Sequence, residues 1–220
     1  MTLINILLAA PVAADPTLWD LTLKGGWLMI PLALLALVSI YIFIERCIVI
    51  SRKSRQDPGF MNRIKDLIHA GSIDEATNLC QEADTPYSRM IAKGVSRIGR
   101  PMNDVLVAIE NVGNQEVAKL EKGFSWLSTT AAGAPMIGFL GTVTGMVRAF
   151  MAMAKAGSAA NISILSQGIY EALVTTVAGL IVGILALFAY NYLTSRVSKV
   201  MGKLERAAMD FMDLLNEPAK

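Results

Sequence analysis

A single carboxylate, Glu171, stands in a stretch that is otherwise almost wholly apolar: residues 168–192 read GIYEALVTTVAGLIVGILALFAYNY, long enough to cross a bilayer. An ionised group in a hydrocarbon core costs roughly 3 kcal/mol by insertion scales, so it normally faces a water-filled or protein-lined interior. Glu171 and Thr175 follow at helical spacing with Thr176 on an adjoining face, while Gly168, Ala172, Gly179 and Gly183 supply small side chains against which a second helix can close. A carboxylate beside hydroxyls in a dry setting can exchange a proton or lend a ligand to a desolvated cation, which is the chemistry of an ion path. Position alone leaves a second reading open. Glu171 is only a few residues from the polar stretch ending in Gln167, and that would place it at the membrane surface.

The preceding apolar stretch, residues 126–152, is the natural partner. Gly138, Gly141 and Gly145 fall at steps of three and four residues, so a neighbouring helix can approach closely on that face. Across an antiparallel hairpin Thr142 could meet Glu171, Thr175 and Thr176, although a membrane threonine often only returns a hydrogen bond to its own helix. Arg148, near the outer end, can extend its head to the interface. Two helices offer too few polar groups for a complete path. Conduction therefore requires repeated copies, a second subunit, or both.

These two stretches need a frame, and the composition supplies one. Of 220 residues 54% are hydrophobic, high for a soluble domain of this size, so the chain is an integral membrane protein. A third span precedes the other two at residues 26–46, with Pro31 early enough to remove few helical hydrogen bonds. Lys24 alone lies just before it, whereas Arg46, Arg52, Lys53 and Arg55 follow, and Arg196, Lys199, Lys203 and Arg206 follow the third. By the positive-inside rule the amino terminus is outside and the carboxyl terminus inside. The expected fold is all-α, with three transmembrane helices extending into a helical cytoplasmic domain. Its segments are an outer amino-terminal part at 1–25, spans at 26–46, 126–152 and 168–192, a cytoplasmic domain at 47–125, an outer loop at 153–167 and an inner tail at 193–220. Residues 1–14 read either as a surface-lying segment, the favoured choice, or as a secretory signal cleaved after Ala14.

The cytoplasmic domain has helical punctuation. Pro58 suits a first turn, Gly71 a helix end, and Ser72 to Glu75 has capping-box spacing ahead of Ile73, Ala76, Leu79 and Cys80. Pro86 opens a third helix with Met90 and Ile91 apolar, and Gly94, Gly99 and Pro101 break the run. Asn103 can cap a longer helix that continues without a joint into the membrane near Trp126. The tail through Met209, Phe211, Met212 and Leu215 continues the third span inward.

Other chemistries find no support. Cys47 and Cys80 have no metal-ligand spacing, and the one histidine, His69, reads as a packing or surface residue. There is no phosphate-binding loop, nucleophile elbow or cofactor motif, so no enzyme and no cofactor is expected. A net charge of +2, with basic residues beside apolar spans, argues against nucleic acid.

At the same residues the sequence resembles the ExbB, TolQ and MotA family of ion-driven stator subunits. GFLGTVTGMVRAF (138–150) resembles that family's second-span signature and GIYEALVTTVAGL (168–180) that of the third. The likeness runs from about residue 25 to residue 214 and leaves the first fifteen or so outside. The short insert and outer loop look more like ExbB or TolQ than the four-span MotA branch. The resemblance implies a multi-pass protein of the bacterial inner membrane that forms a homo-pentamer around two copies of a single-span ExbD- or TolR-type subunit. That partner's transmembrane aspartate would carry the proton. Thr142, Glu171 and Thr176 would line the inner face of the pentamer, and the motion would pass to a TonB- or TolA-type transducer for outer-membrane uptake or envelope maintenance. Two other readings stay beside this one: a passive helical scaffold in which Glu171 pairs with a partner cation, and a sodium rather than proton pathway suggested by the hydroxyls.

Overall fold

A computed structural model of the chain describes residues 26–54, 57, 59–157 and 162–216, without the side chain of Ile164. Among these residues every regular element is a helix: α1 Met29–Lys53, α2 Phe60–His69, α3 Ile73–Ala83, α4 Pro86–Val95, α5 Met102–Leu120, α6 Phe124–Ala156 and α7 Ile162–Asn216. The expected outer segment, its cleavage site after Ala14, and Pro58 lie outside the described residues.

Three of the helices, α1, α6 and α7, are long and apolar enough to cross a membrane. At about 1.5 Å per residue, the 55 residues of α7 reach roughly 80 Å, more than twice the ~30 Å hydrocarbon thickness. A helix of that length has to continue beyond the bilayer, and the tail does prolong the third span as one rod. The chain is thus an all-α membrane protein. The connection between α6 and α7 is shorter than the expected loop, because α6 runs to Ala156 and α7 begins at Ile162.

The chain divides into two compact units. Among the described residues, the first comprises residues 26–37 together with those of 130–185. Small residues hold it: Gly138, Gly141 and Gly145 on α6 meet Thr175, Thr176, Gly179 and Ala172 on α7 so closely that side chains would not fit. A Cβ on Gly138 would stand 2.9 Å from the Thr175 carbonyl oxygen and 3.2 Å from the Gly179 Cα. A Cβ on Gly183 would stand 2.6 Å from the Pro135 ring. Large apolar residues such as Met136, Phe139, Phe150, Leu173 and Ile181 are exposed, as lipid-facing or partner-facing surface would be.

The second unit, Val38–Thr129 and the chain from Ala186 onward, is built as a water-soluble domain is. Phe60, Ile64, Met90, Ile91, Val95, Ile109, Leu204 and Phe211 form its core, with the Phe60 and Tyr87 rings edge-to-face at 5.3 Å. Buried among them, the Cys80 thiol is pushed up to about 11 by desolvation. Glu116, 3% exposed, is held by Arg89 at 2.9 Å and by Lys119 at 2.5 Å. At the exposed start of α2, a hydrogen bond from the Gly59 amide, aided by Arg63, keeps the Asp57 carboxyl below its usual range.

Several local readings need correction. The expected unbroken helix leading into the second span is divided: α5 ends at Leu120 and α6 starts at Phe124. Gly123 between them takes φ 92°, a conformation L side chains avoid, and a Cβ there would stand 3.3 Å from Ile42. Gly94 does not break a helix but lies inside α4. A Cβ on it would sit 2.6 Å from Phe211 and 2.7 Å from Ile109, so close packing accounts for the glycine. Ser72 occupies the N-cap of α3 without a side-chain capping bond. The capping box is instead Thr85 with Ser88, around Pro86 at the start of α4. Pro101, not Asn103, precedes α5.

Candidate ion-path site

The residues singled out on α6 and α7 divide between two flanks of one seam. At about 100° per residue, Glu171 and Thr176 lie roughly 140° apart around α7. Between them Ala172, Thr175 and Gly179 face α6 and are buried. Thr175, 2% exposed, donates its hydroxyl to its own Ala172 carbonyl at 2.8 Å. Its side chain fills the space that Gly141 leaves empty. In this chain, then, Thr175 is a packing residue of the seam.

On one flank the hydroxyls of Thr142 and Thr176 meet at 2.9 Å. Each also has a backbone acceptor within reach: Phe139 for Thr142 at 2.9 Å, and the Gly138 carbonyl of the facing helix for Thr176 at 3.0 Å. A hydroxyl carries one hydrogen, so each threonine chooses one acceptor at a time. The pair thus has alternative hydrogen-bond acceptors within reach on both helices.

On the other flank stands Glu171. A narrow cleft of about 10 Å³ is walled by Trp27, Leu28, Gly141, Thr144, Gly145, Arg148, Glu171 and Thr175, the room of a single water molecule. Thr142 and Thr176 are not among its walls. The carboxylate is one-third exposed and its single ion pair among the described residues is with Arg148, Nη1 to Oε1 at 3.8 Å. That is longer than a charge-assisted hydrogen bond, so the contact is a loose Coulombic one. Gly26, with φ 68°, lies directly against the carboxylate, where a Cβ would collide with it. Glu171 therefore sits level with the residues that open α1, beside Trp27, an amphipathic type favoured at interfaces.

From the sequence Arg148 reads either as an interfacial anchor or as a charge setting an outer potential that repels cations. Its partnership with Glu171 was legible in principle, since both precede or follow the outer connection at matching depth. Gly26 and Thr144 were missed. The signal for Gly26 was the paired glycine immediately before the first span, which a turn with positive φ uses.

Chemically, the flank with Glu171 offers carboxylate oxygens beside a guanidinium at a one-water cleft. The threonine flank can pass a hydrogen bond between helices. Among the described residues no cluster of three or more metal-ligating side chains forms.

A family model described as the MotA/TolQ/ExbB proton channel family matches residues 82–206, a range that contains Glu116, Thr142, Arg148, Glu171 and Thr176. The chain is similar to the biopolymer transport protein ExbB of Neisseria meningitidis serogroup A, with 28% identity over 199 residues, 84% of this chain and 89% of that protein. It is 33% identical over 199 residues to the ExbB-like 1 protein of Synechocystis sp., covering 84% of this chain and 74% of the relative. With the ExbB homolog of Methanothermobacter thermautotrophicus it shares 31% identity over 176 residues, 78% of this chain and 62% of that one.

Proposed function

From membership of the MotA/TolQ/ExbB proton channel family, to which this chain belongs, we propose that it is the inner-membrane, multi-pass subunit of a motor driven by the proton-motive force. In this reading it works as the ExbB-like subunit that energises TonB-dependent outer-membrane transport or Tol-dependent envelope maintenance. Its amino terminus lies outside and its tail in the cytoplasm. Five copies surround two single-span ExbD- or TolR-type subunits. Glu171, Thr142 and Thr176 serve the path along the inner face of the ring.

The observation that carries the reading is the state of Glu171. It is a carboxylate at a membrane-spanning segment, in a cleft with room for one water, and its one ion pair among the described residues is with a guanidinium 3.8 Å away. In this reading that carboxylate is a station on the proton's path, and a membrane potential supplies about 2.3 kcal/mol per charge per 100 mV to drive the transfer.

The test is proton flux into liposomes containing the chain with its single-span partner, read by an enclosed pH dye. Glu171→Gln is expected to stop the flux while native mass spectrometry still finds the complex whole. The Arg148–Glu171 pair also favours a second reading, in which Glu171 is a structural ion-pair partner within a passive scaffold. Loss of the complex in Glu171→Gln would decide for that reading.

A further inference from the structure

Below the last apolar turn of α7, three cations converge with two hydroxyls from the end of α1. Arg196, Lys199, Lys203, Ser51 and Ser54 line one hollow of about 220 Å³. Arg196 is held in place: it donates to the Ser51 hydroxyl at 3.1 Å and lies over the Tyr192 ring at 5.8 Å from its centre. Tyr192 in turn meets Phe43 edge-on at 6.1 Å. Lys199 and Lys203 are exposed and, among the described residues, form no ion pair or hydrogen bond.

The order along α7 gives the hollow its chemistry. Phe188, Tyr192, Arg196, Lys199 and Lys203 follow at steps of four, four, three and four residues, so they lie on one helix face. All five are exposed. Read along the helix, that face is apolar, then amphipathic aromatic, then cationic. This is the sequence of environments an anionic phospholipid presents from acyl chain through glycerol to phosphate. Like charges one helical turn apart, as Lys199 and Lys203 are, repel each other. An anion seated between them removes that cost.

We propose that this hollow is a binding site for the phosphodiester headgroup of an anionic phospholipid. Arg196 and the serine hydroxyls take the phosphate oxygens, and Lys199 and Lys203 close over it. General attraction of juxtamembrane lysines to an anionic leaflet needs no shaped site. The pre-oriented guanidinium, fixed on one side by Ser51 and on the other by Tyr192, is what distinguishes a site from a charged surface. The inference requires only that α1 and α7 cross a bilayer, not that the protein conducts ions. Loss of lipid binding and loss of conduction are therefore separate results.

The experiment is native mass spectrometry of the full-length chain from mild detergent doped with equal amounts of phosphatidylglycerol and phosphatidylcholine. The wild type is expected to retain the anionic lipid over the zwitterionic one by about tenfold or more. The triple variant Arg196→Gln, Lys199→Gln, Lys203→Gln is expected to lose that preference. Arg97→Gln with Arg100→Gln, on the exposed turn after α4, removes charge elsewhere and is expected to keep it. Should the triple variant fail to fold, Lys199→Gln and Lys203→Gln singly remove only exposed heads, and each is expected to weaken retention about threefold. Unchanged retention in these variants, or equal loss in the Arg97 and Arg100 control, would overturn the site. Displacement of the lipid by excess inorganic phosphate would also overturn it, reassigning the hollow to a soluble phosphate compound.

Discussion

Two glutamates, one in each compact unit, are held in opposite ways. Glu116 in the second unit is almost wholly buried and fully engaged, with Arg89 at 2.9 Å and Lys119 at 2.5 Å. Glu171 in the first is one-third exposed, and its one ion pair among the described residues is at 3.8 Å. The same side chain is a fixed strut where two cations grip it, and under the proposed function it is a working group where its hold is loose. Removing one partner of a buried, paired carboxylate leaves an uncompensated buried charge. A half-open carboxylate with a distant partner has no such constraint on its surroundings.

The sharpest way to break the comparison is to remove charge without changing shape. Glu171→Gln should cut partner-dependent proton flux in liposomes by at least about a hundredfold, the lower end of what a positioned proton-transfer group contributes. Assembly and thermal stability should be nearly unchanged. A stable variant with normal flux would leave Glu171 without its assigned role.

The complementary change attacks the strut. Arg89→Met leaves Glu116 buried with only the half-exposed Lys119, and should destabilise the chain by about 3 kcal/mol. The loss would be read as a lowered midpoint in detergent melting, while flux per folded complex stays near normal. If Arg89→Met instead left stability intact and abolished flux, the contrast between the two glutamates would be reversed.

The units also differ in how much of them could be read from the sequence. In the first, the signals were local: apolar length gave the spans, and glycines at steps of three and four gave the seam of Gly138, Gly141, Gly145 and Gly179. What the spacing could not give was the side of that seam on which each polar residue falls. Glu171, Thr142, Thr175 and Thr176 read as one set, yet five residues along a helix turn Glu171 and Thr176 roughly 140° apart. In the second unit the helices were legible from proline and glycine punctuation. Gly94 and Gly123 were misjudged, one as a break and the other overlooked. Whether a glycine serves a turn or a close contact depends on what packs there, and for Gly94 that is Phe211, more than a hundred residues away in sequence.

The seam itself sets a third test. Gly179→Val places branched carbon where Ala134 and Gly138 already press on the backbone. It should cost about 2 kcal/mol, typical of overpacking, and lower the yield of folded protein. A matching substitution at Gly133, where a Cβ would meet nothing within 4 Å, should cost little. The pair separates a packing requirement from a general aversion to bulk in α6 and α7. Equal damage from both would mean that the small-residue seam is not what holds the first unit.

The finest distinction concerns Thr142 and Thr176, which share a hydrogen bond at 2.9 Å on the flank away from Glu171. Each has a backbone carbonyl to fall back on, so Thr142→Val and Thr176→Val should be nearly additive in stability. Their coupling should be about 0.6 kcal/mol, the average for hydrogen bonds between membrane helices. A double-mutant cycle in flux asks a different question of the same two residues. If the hydroxyls relay a proton or order the water that does, either valine alone should reduce flux and the second should add almost nothing. Flux that tracks stability alone would make the pair a staple between α6 and α7, of the same kind as Glu116 and Arg89 but weaker. The ion path would then run only on the flank of Glu171 and Arg148.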